Sequence, residues 1–253
     1  ATCPARTVTV ITVSFNSAGT IVDTLRSVAE QSHPAIQHIV IDGGSIDGTL
    51  NVIERHGRHV ARIVSERDNG IYDAMNKGLA LASGAFVGFL NADDMFAHRD
   101  VVAHIAAAGT GPIDAVYGDL VYVDRTDPDK VVRYWRSGQF EASKLRFGWM
   151  PPHPTLYVRQ SRLLELGGFD TQFRIAADYD FVLRCLGLAN MRVAYLPQVL
   201  VKMRTGGVSN GSTASLLRKS KEDLRALKKN GVGGIATLML KNFRKLPQLI
   251  TKP

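Results

Sequence analysis

Four short apolar runs, at residues 7–14, 37–42, 60–65 and 85–90, alternate with stretches whose apolar residues recur at helical spacing. This alternation constrains the fold more than any other feature. Strand–helix–strand repeats bury their apolar faces by forming a mostly parallel sheet, doubly wound with helices on both sides. The run at 7–14 is β-branched at nearly every position and reads as the central strand. Helices are predicted over about residues 18–31, with Ile21, Val22, Leu25 and Val28 on one face, and over 71–81, with Gly84 placed for a stop. Asp47 is a plausible N-cap for a third helix between them. After about residue 112 the pattern changes. Residues 116–124 and 131–136 flank Asp127-Pro-Asp129 and read as an antiparallel hairpin. Strands at 155–158 and 193–196 and a helix at 178–188 complete a mixed extension of the same sheet.

A chain of 253 residues has room for one large domain or two small ones. The expected division is one domain over 1–209, with halves at 1–95 and 96–209, followed by a tail at 210–253. The tail holds ten Lys/Arg against Glu222 and Asp223, so its net +8 equals that of the whole chain. A basic chain raises the question of nucleic acid, but the neutral body argues against it. The tail reads as two helices, about 213–229 and 234–246, joined by Gly231-Val-Gly-Gly234. Leu216, Leu217, Leu224 and Leu227, then Ile235, Leu238, Met239, Leu240, Phe243 and Leu246, give these helices apolar faces. Such helices suit an anionic membrane surface; packing on the body or on a second subunit is the alternative, and the oligomeric state stays open. Cys3 and Cys185 fit no metal or redox motif and suggest a reducing compartment. No signal-peptide pattern and no apolar run near the roughly 20 residues of a membrane span are present, so a cytoplasmic protein, peripheral at most on the inner membrane face, is expected.

The strand at 85–90 runs straight into Asn91-Ala-Asp-Asp94. Open α/β sheets bind ligands at the carboxyl ends of their strands. Adjacent carboxylates there repel each other unless a cation offsets them, and such oxygen ligands suit Mg²⁺ or Mn²⁺ beside a diphosphate. Read alone, the pair is also an ordinary solvated turn. Asp42 ends another strand of the same sheet, in Asp42-Gly-Gly-Ser-Ile-Asp-Gly-Thr49, and so faces the same crevice.

Four motifs in order, Val13-Ser-Phe-Asn16, Asp42-Gly-Gly-Ser-Ile-Asp-Gly-Thr49, Asp68-Asn-Gly-Ile-Tyr-Asp-Ala-Met-Asn-Lys-Gly78 and Phe89-Leu-Asn-Ala-Asp-Asp94, resemble the nucleotide-sugar half of GT-A glycosyltransferases of family 2. The resemblance runs to about residue 209 and is nearest to bacterial enzymes that build exopolysaccharides, O-antigens and glycolipids. It implies a GT-A fold and inverting transfer of a hexosyl or deoxyhexosyl unit from a nucleotide-diphosphate sugar. UDP is the favoured donor nucleotide. The acceptor would be a saccharide or lipid-linked hydroxyl, and the cofactor Mn²⁺ or Mg²⁺.

It also implies roles. Val13, Ser14 and Asn16 would lie against the nucleobase, Asp42 against base or ribose, and Arg67 and Asp68 near the base. Asn76 and Lys77 would lie near the diphosphate or sugar. Asn91, Ala92 and Asp93 would form the metal motif, with Asp93, and Asp94 beside it, holding the cation. Asp178, in Ala176-Ala-Asp-Tyr-Asp180, would be the general base, and Asp180 would pair with Arg184. Trp149 and His153, in Trp149-Met-Pro-Pro-His-Pro-Thr155, and Asp119 would serve the acceptor side. Residues 206–209 would form a flap or a linker. The chain departs from the family pattern at Asn91, Met75 and Ala177, where the relatives carry an acid, an arginine and an acid. No P-loop, dinucleotide fingerprint or Cys/His cluster is present. A nucleotidyltransferase, which would want a basic loop after the first strand, and a non-catalytic binding protein are the alternatives.

Overall fold

A computed structural model of the chain describes residues 7–206 and 213–244; of the expected flap at 206–209, all but Gly206 lies outside them. One mixed nine-stranded sheet organises the protein, with neighbours in the order β3-β2-β1-β4-β8-β6-β9-β5 and β7 paired to β6. The first half holds β1 (Val8–Ser14), α1 (Ile21–Ala29), β2 (Ile36–Asp42), α2 (Thr49–His56), β3 (Arg62–Ser65), α3 (Ile71–Leu81) and β4 (Phe86–Phe89). β1 lies between β2 and β4, parallel to both. All seven of its residues are buried. A strand covered on both faces has no polar alternation to show, which explains its unbroken β-branched run.

Parallel pairing brings the carboxyl ends of β1, β2 and β4 side by side. α1 buries Ile21, Thr24, Leu25 and Val28. Thr24 serves more than packing: its hydroxyl donates to the Asp94 carbonyl at 2.6 Å and the Asn91 carbonyl at 3.3 Å. α3 buries Tyr72, Ala74, Met75 and Gly78. A Cβ at Gly78 would stand 2.4 Å from the Ile11 Cγ2, so only glycine lets α3 approach the central strand this closely.

The second half extends the sheet through β5 (Met95–Phe96), α4 (Val101–Ala108), β6 (Ala115–Val123), β7 (Val131–Trp135), β8 (Tyr157–Arg159), α5 (Gln160–Leu166), α6 (Ala177–Gly187) and β9 (Val193–Arg204). β6 and β7 form the expected antiparallel hairpin. β9 is longer than expected. It passes through Pro197 because the ladder with β6 shifts there, from Gly118↔Leu196 to Asp119↔Val199. A residue without an N–H is tolerated where the ladder is already broken.

The tail forms α7 (Thr213–Lys229) and α8 (Ile235–Phe243). α7 packs on the body, with Ala226 and Leu227 in the main core cluster beside Phe173, Tyr179 and Phe181 of the α6 region. Of the two expectations for the tail, packing on the body describes α7. Among the described residues, no helix is long and apolar enough to cross a membrane.

Candidate active site

The turn Asn91–Asp94 follows β4 directly. Asp94 is fully buried, and its Oδ2 accepts from Asn91 Nδ2 at 3.3 Å. Asp93 is half-buried. Burial pushes both carboxyls above the usual carboxylate range, and the charge of Asp93 adds to the push on Asp94; Arg204 and Arg125 oppose it at Asp93. Two oxygens at this turn, Asn91 Oδ1 and Asp94 Oδ1, are buried with no hydrogen-bond partner. Buried acceptors without donors are rare because each costs about 1–3 kcal/mol. Crowded acids beside orphaned oxygens are the donor set a hard divalent cation requires, and this chain's residues therefore fit one. No three metal-binding side chains cluster among the described residues.

Arg204 escaped the sequence reading. It is 7 % exposed, donates to the Asp93 carbonyl at 3.2 Å and pairs with Asp23 of α1. Its position at the end of β9 becomes visible only once the strand continues past Pro197.

The β2 loop forms the adjoining wall. Asn16 Oδ1 accepts from the Ile46 N–H and the Asn16 N–H donates to Ser45 Oγ, tying the loops after β1 and β2 together. A Cβ on Gly43 would strike the Asp68 carboxylate, and Gly44 packs against Arg67 with φ +80°. Arg67 and Asp68 thus join the same wall. Lys77 reaches it from α3, pairing with Glu66 at 2.8 Å and donating to the Arg67 carbonyl at 3.1 Å. Val13 and Ala92 contribute backbone, the Val13 carbonyl accepting from the Ala92 N–H.

Several residues expected to touch ligands are instead satisfied internally. Asp42 is fully buried and accepts from Ser14, Ser45 and Ser65 hydroxyls and from the Gly44 and Ser45 N–H groups. Burial alone would raise its pKa; the hydrogen bonds, those of Ser45 foremost, hold it below the usual range. Asp42 thus shapes the loop after β2, and the Ser14 hydroxyl is bonded to it. The Asn76 amide bridges the Phe169 N–H and carbonyl at 2.7 and 2.9 Å, locking α3 to the second half. Asp119 accepts from Tyr134, Tyr195 and the Ser137 N–H and is 1 % exposed. Trp149 is buried and donates its indole N–H to the Ser137 carbonyl. Asp119 and Trp149 are therefore buried within the second half of the sheet and do not line its surface.

His153 also points inward. It stacks on Phe89 with ring centres 5.4 Å apart and meets Phe169 and Phe181 edge-on. Burial pushes its imidazole down while the charge of Asp178 pulls the other way; its Nε2 has no partner.

Asp178 opens α6 and is half-buried. Its Oδ1 accepts from the Tyr179 N–H at 2.8 Å and the Tyr72 hydroxyl at 3.3 Å. The other oxygen is not drawn into this cluster. Asp180, by contrast, is fully buried and paired with Arg184 at 2.8 Å, as its i, i+4 spacing predicts. One side chain links the two acidic centres. Burial raises the Tyr122 pKa, Arg133 over its ring opposes this, and Asp94 and Asp178 each push it higher. Tyr122 therefore lies within electrostatic reach of both Asp94 and Asp178.

The Glycosyl transferase family 2 model matches residues 9–173. The chain is 37% identical over 190 residues to the uncharacterized glycosyltransferase Rv1514c of Mycobacterium tuberculosis, covering 71% of this chain and 69% of that protein. It is 29% identical over 249 residues to a PGL/p-HBAD biosynthesis glycosyltransferase of Mycobacterium bovis, covering 96% and 92%. Staphylococcus aureus TarS 1–349, in complex with UDP-GlcNAc, superimposes with a TM-score of 0.69 at 18% identity, covering 89% of this chain and 66% of that one. The mannosyltransferase PcManGT of Pyrobaculum calidifontis, in complex with GDP-Man and Mn²⁺, does so with 0.68 at 24%, covering 99% and 75%. A GT-A sheet with its acids at the strand ends, and a family match over most of that sheet, place this chain in glycosyl transferase family 2 and make it a glycosyltransferase.

Proposed function

We propose that this glycosyltransferase moves one sugar from a nucleotide-diphosphate donor to an acceptor hydroxyl, with inversion and with a divalent cation, in polysaccharide or glycolipid synthesis. The observation that carries the reading is the turn at the carboxyl end of β4, whose buried oxygens await a cation, in a chain that also presents a half-buried Asp178 at the start of α6. Asp93, Asp94 and Asn91 would hold the ion. When bound, it supplies Lewis-acid stabilisation of the charge that develops on the departing diphosphate. Asp178 faces the opposite side of the reaction. It accepts the proton of the acceptor hydroxyl as that oxygen attacks the anomeric carbon, while the bond to the diphosphate breaks. A single direct displacement inverts the anomeric centre. Arg204 anchors the Asp93 backbone, and Tyr72 holds one oxygen of Asp178 so that the other is aimed. The PcManGT structure, in complex with both GDP-Man and Mn²⁺, supports the cation. UDP is the donor expected from the motifs, and GDP is the second candidate.

The test is a thermal-shift panel of UDP, GDP, dTDP, CDP and ADP, each with Mn²⁺, Mg²⁺ or EDTA. One diphosphate should raise the melting temperature with metal and lose its effect in EDTA, by about 2.7 kcal/mol of apparent stability at a hundredfold excess over Kd. No shift with any nucleotide would reject the reading.

The acceptor side includes a membrane proposal. α8 leaves Ile235, Met239 and Phe243 exposed on one face at fourfold spacing, with Phe147 exposed beside Arg244. α7 carries an exposed basic row at Arg218, Lys221, Arg225 and Lys228. Apolar and cationic faces together match an anionic bilayer, where a lipid-linked acceptor would lie. Removing the whole tail would strip Ala226 and Leu227 from the core, so changing the α8 face alone is the cleaner test. An Ile235→Ser/Met239→Ser/Phe243→Ser variant should retain its melting temperature and lose binding to vesicles containing anionic lipid. Equal binding by both proteins rejects the membrane role.

A further inference from the structure

α7 reaches back to the segment that presents Asp178. The Glu222 Oε2 accepts from the Ile175 N–H at 2.8 Å and the Ala176 N–H at 3.0 Å. Ala176 is the N-cap of α6, and it has no side-chain oxygen with which to cap the helix itself. Helix N-termini need acceptors for their free N–H groups and favour a negative charge there. Here a residue of α7 supplies both, from 46 positions along the chain.

The same peptide is held from the other side. The Ile175 carbonyl accepts from the Tyr72 hydroxyl at 2.7 Å, and that hydroxyl also reaches Asp178. The turn before the base thus hangs between α3 and α7. The rest of the tail is fitted to this region. Lys229 and Asn230 bond to the buried Asp180 at 3.1 and 2.9 Å. Lys241 of α8 pairs with the buried Asp223 at 2.8 Å, and its ammonium lies 3.3 Å from the centre of the Tyr179 ring. A buried ion pair adds little net stability but admits few alternative arrangements. Such a network fixes one register of the tail against α6. The family match ends at residue 173, just before this segment.

We infer that Glu222 is a positioning residue for the transfer step: α7 completes the active site by capping α6 and so aiming Asp178. This rests on the reading of Asp178 as the base. A displacement of about 1 Å in a catalytic group can cost on the order of a hundredfold in rate.

The test compares Glu222→Asp, Glu222→Gln and Asp178→Asn in the full chain. It measures steady-state transfer and the melting temperature with and without nucleotide and metal. Aspartate keeps the charge but is one methylene too short; glutamine keeps the reach and an acceptor oxygen. Glu222→Asp should therefore lower kcat about 10–100-fold with donor KM within about twofold of wild type. Glu222→Gln should stay within about threefold. A role in bulk charge or general stability would reverse or erase that order. Glu222→Asp at wild-type kcat, or both variants equally impaired, overturns the inference. If Asp178→Asn is inactive while Glu222→Asp is unimpaired, only the positioning role fails; if Asp178→Asn is active, the base assignment fails first.

Discussion

Replacing Asp178 with Asn should lower kcat by about 10²–10⁴, the usual worth of a general base, while leaving donor binding intact. The loss corresponds to about 3–5 kcal/mol of barrier. The substitution is well matched to the site. The contacts that Asp178 makes through Oδ1, from the Tyr179 N–H and the Tyr72 hydroxyl, need only an acceptor oxygen, and Asn retains one. The α6 N-terminus keeps its cap from Glu222. The fold, the Tyr72 bridge and the cation turn should therefore all survive. What disappears is the proton acceptor. Metal-dependent stabilisation by the nucleotide diphosphate should match wild type, which separates loss of chemistry from loss of binding. Transfer within about threefold of wild type would remove Asp178 from the mechanism. Asp180 is not a substitute base, because both of its oxygens are engaged, with Arg184, Lys229 and Asn230.

The sheet and the acids at its edge were legible because they rest on local patterns. α3 spans the predicted 71–81, and the all-buried β1 explains a run without alternation. Other features depend on distant partners that no window of sequence contains. Asp42 and Asp119 end or interrupt strands as a ligand-binding acid would, yet Asp42 is held chiefly by its own loop and Asp119 by β7, β9 and the segment after β7. A hint was present for Asp42, since the serine and two glycines that follow it are what a self-satisfied carboxylate turn uses. Asp119 gave no such hint: its donors Tyr134 and Tyr195 are 15 and 76 positions away. Arg204 was hidden by Pro197, which ends a strand by propensity but here occupies a break in the ladder. The basic tail drew attention to its charge, whereas its two acids make its most specific contacts, Glu222 with the α6 cap and Asp223 with Lys241.

Asp93→Ala should abolish the metal-dependent response to nucleotide and lower transfer by about 10³ or more, since a Lewis-acid cation contributes several kcal/mol to the departing charge. The two acids of the turn are not equivalent. Asp94 is fully buried, with one oxygen on Asn91 and its backbone carbonyl on Thr24. Asp93 is half-buried and is the more accessible of the two carboxylates. Removing it also removes a like charge that pushes the Asp94 carboxyl up. Without metal, the variant should therefore melt at the wild-type temperature or above it, because a repulsion has gone and little packing is lost. Loss of activity with unreduced stability is the distinguishing signature. Asp94→Ala should look different: deleting a fully buried group leaves the Asn91 amide without its acceptor, and about 1–3 kcal/mol of stability goes with it. Measured side by side in EDTA, the two melting curves separate the acid that only holds the ion from the one that also supports the turn. If Asp93→Ala still gains stability from nucleotide and Mn²⁺ as wild type does, the cation is held elsewhere and Asp93 has no part in it.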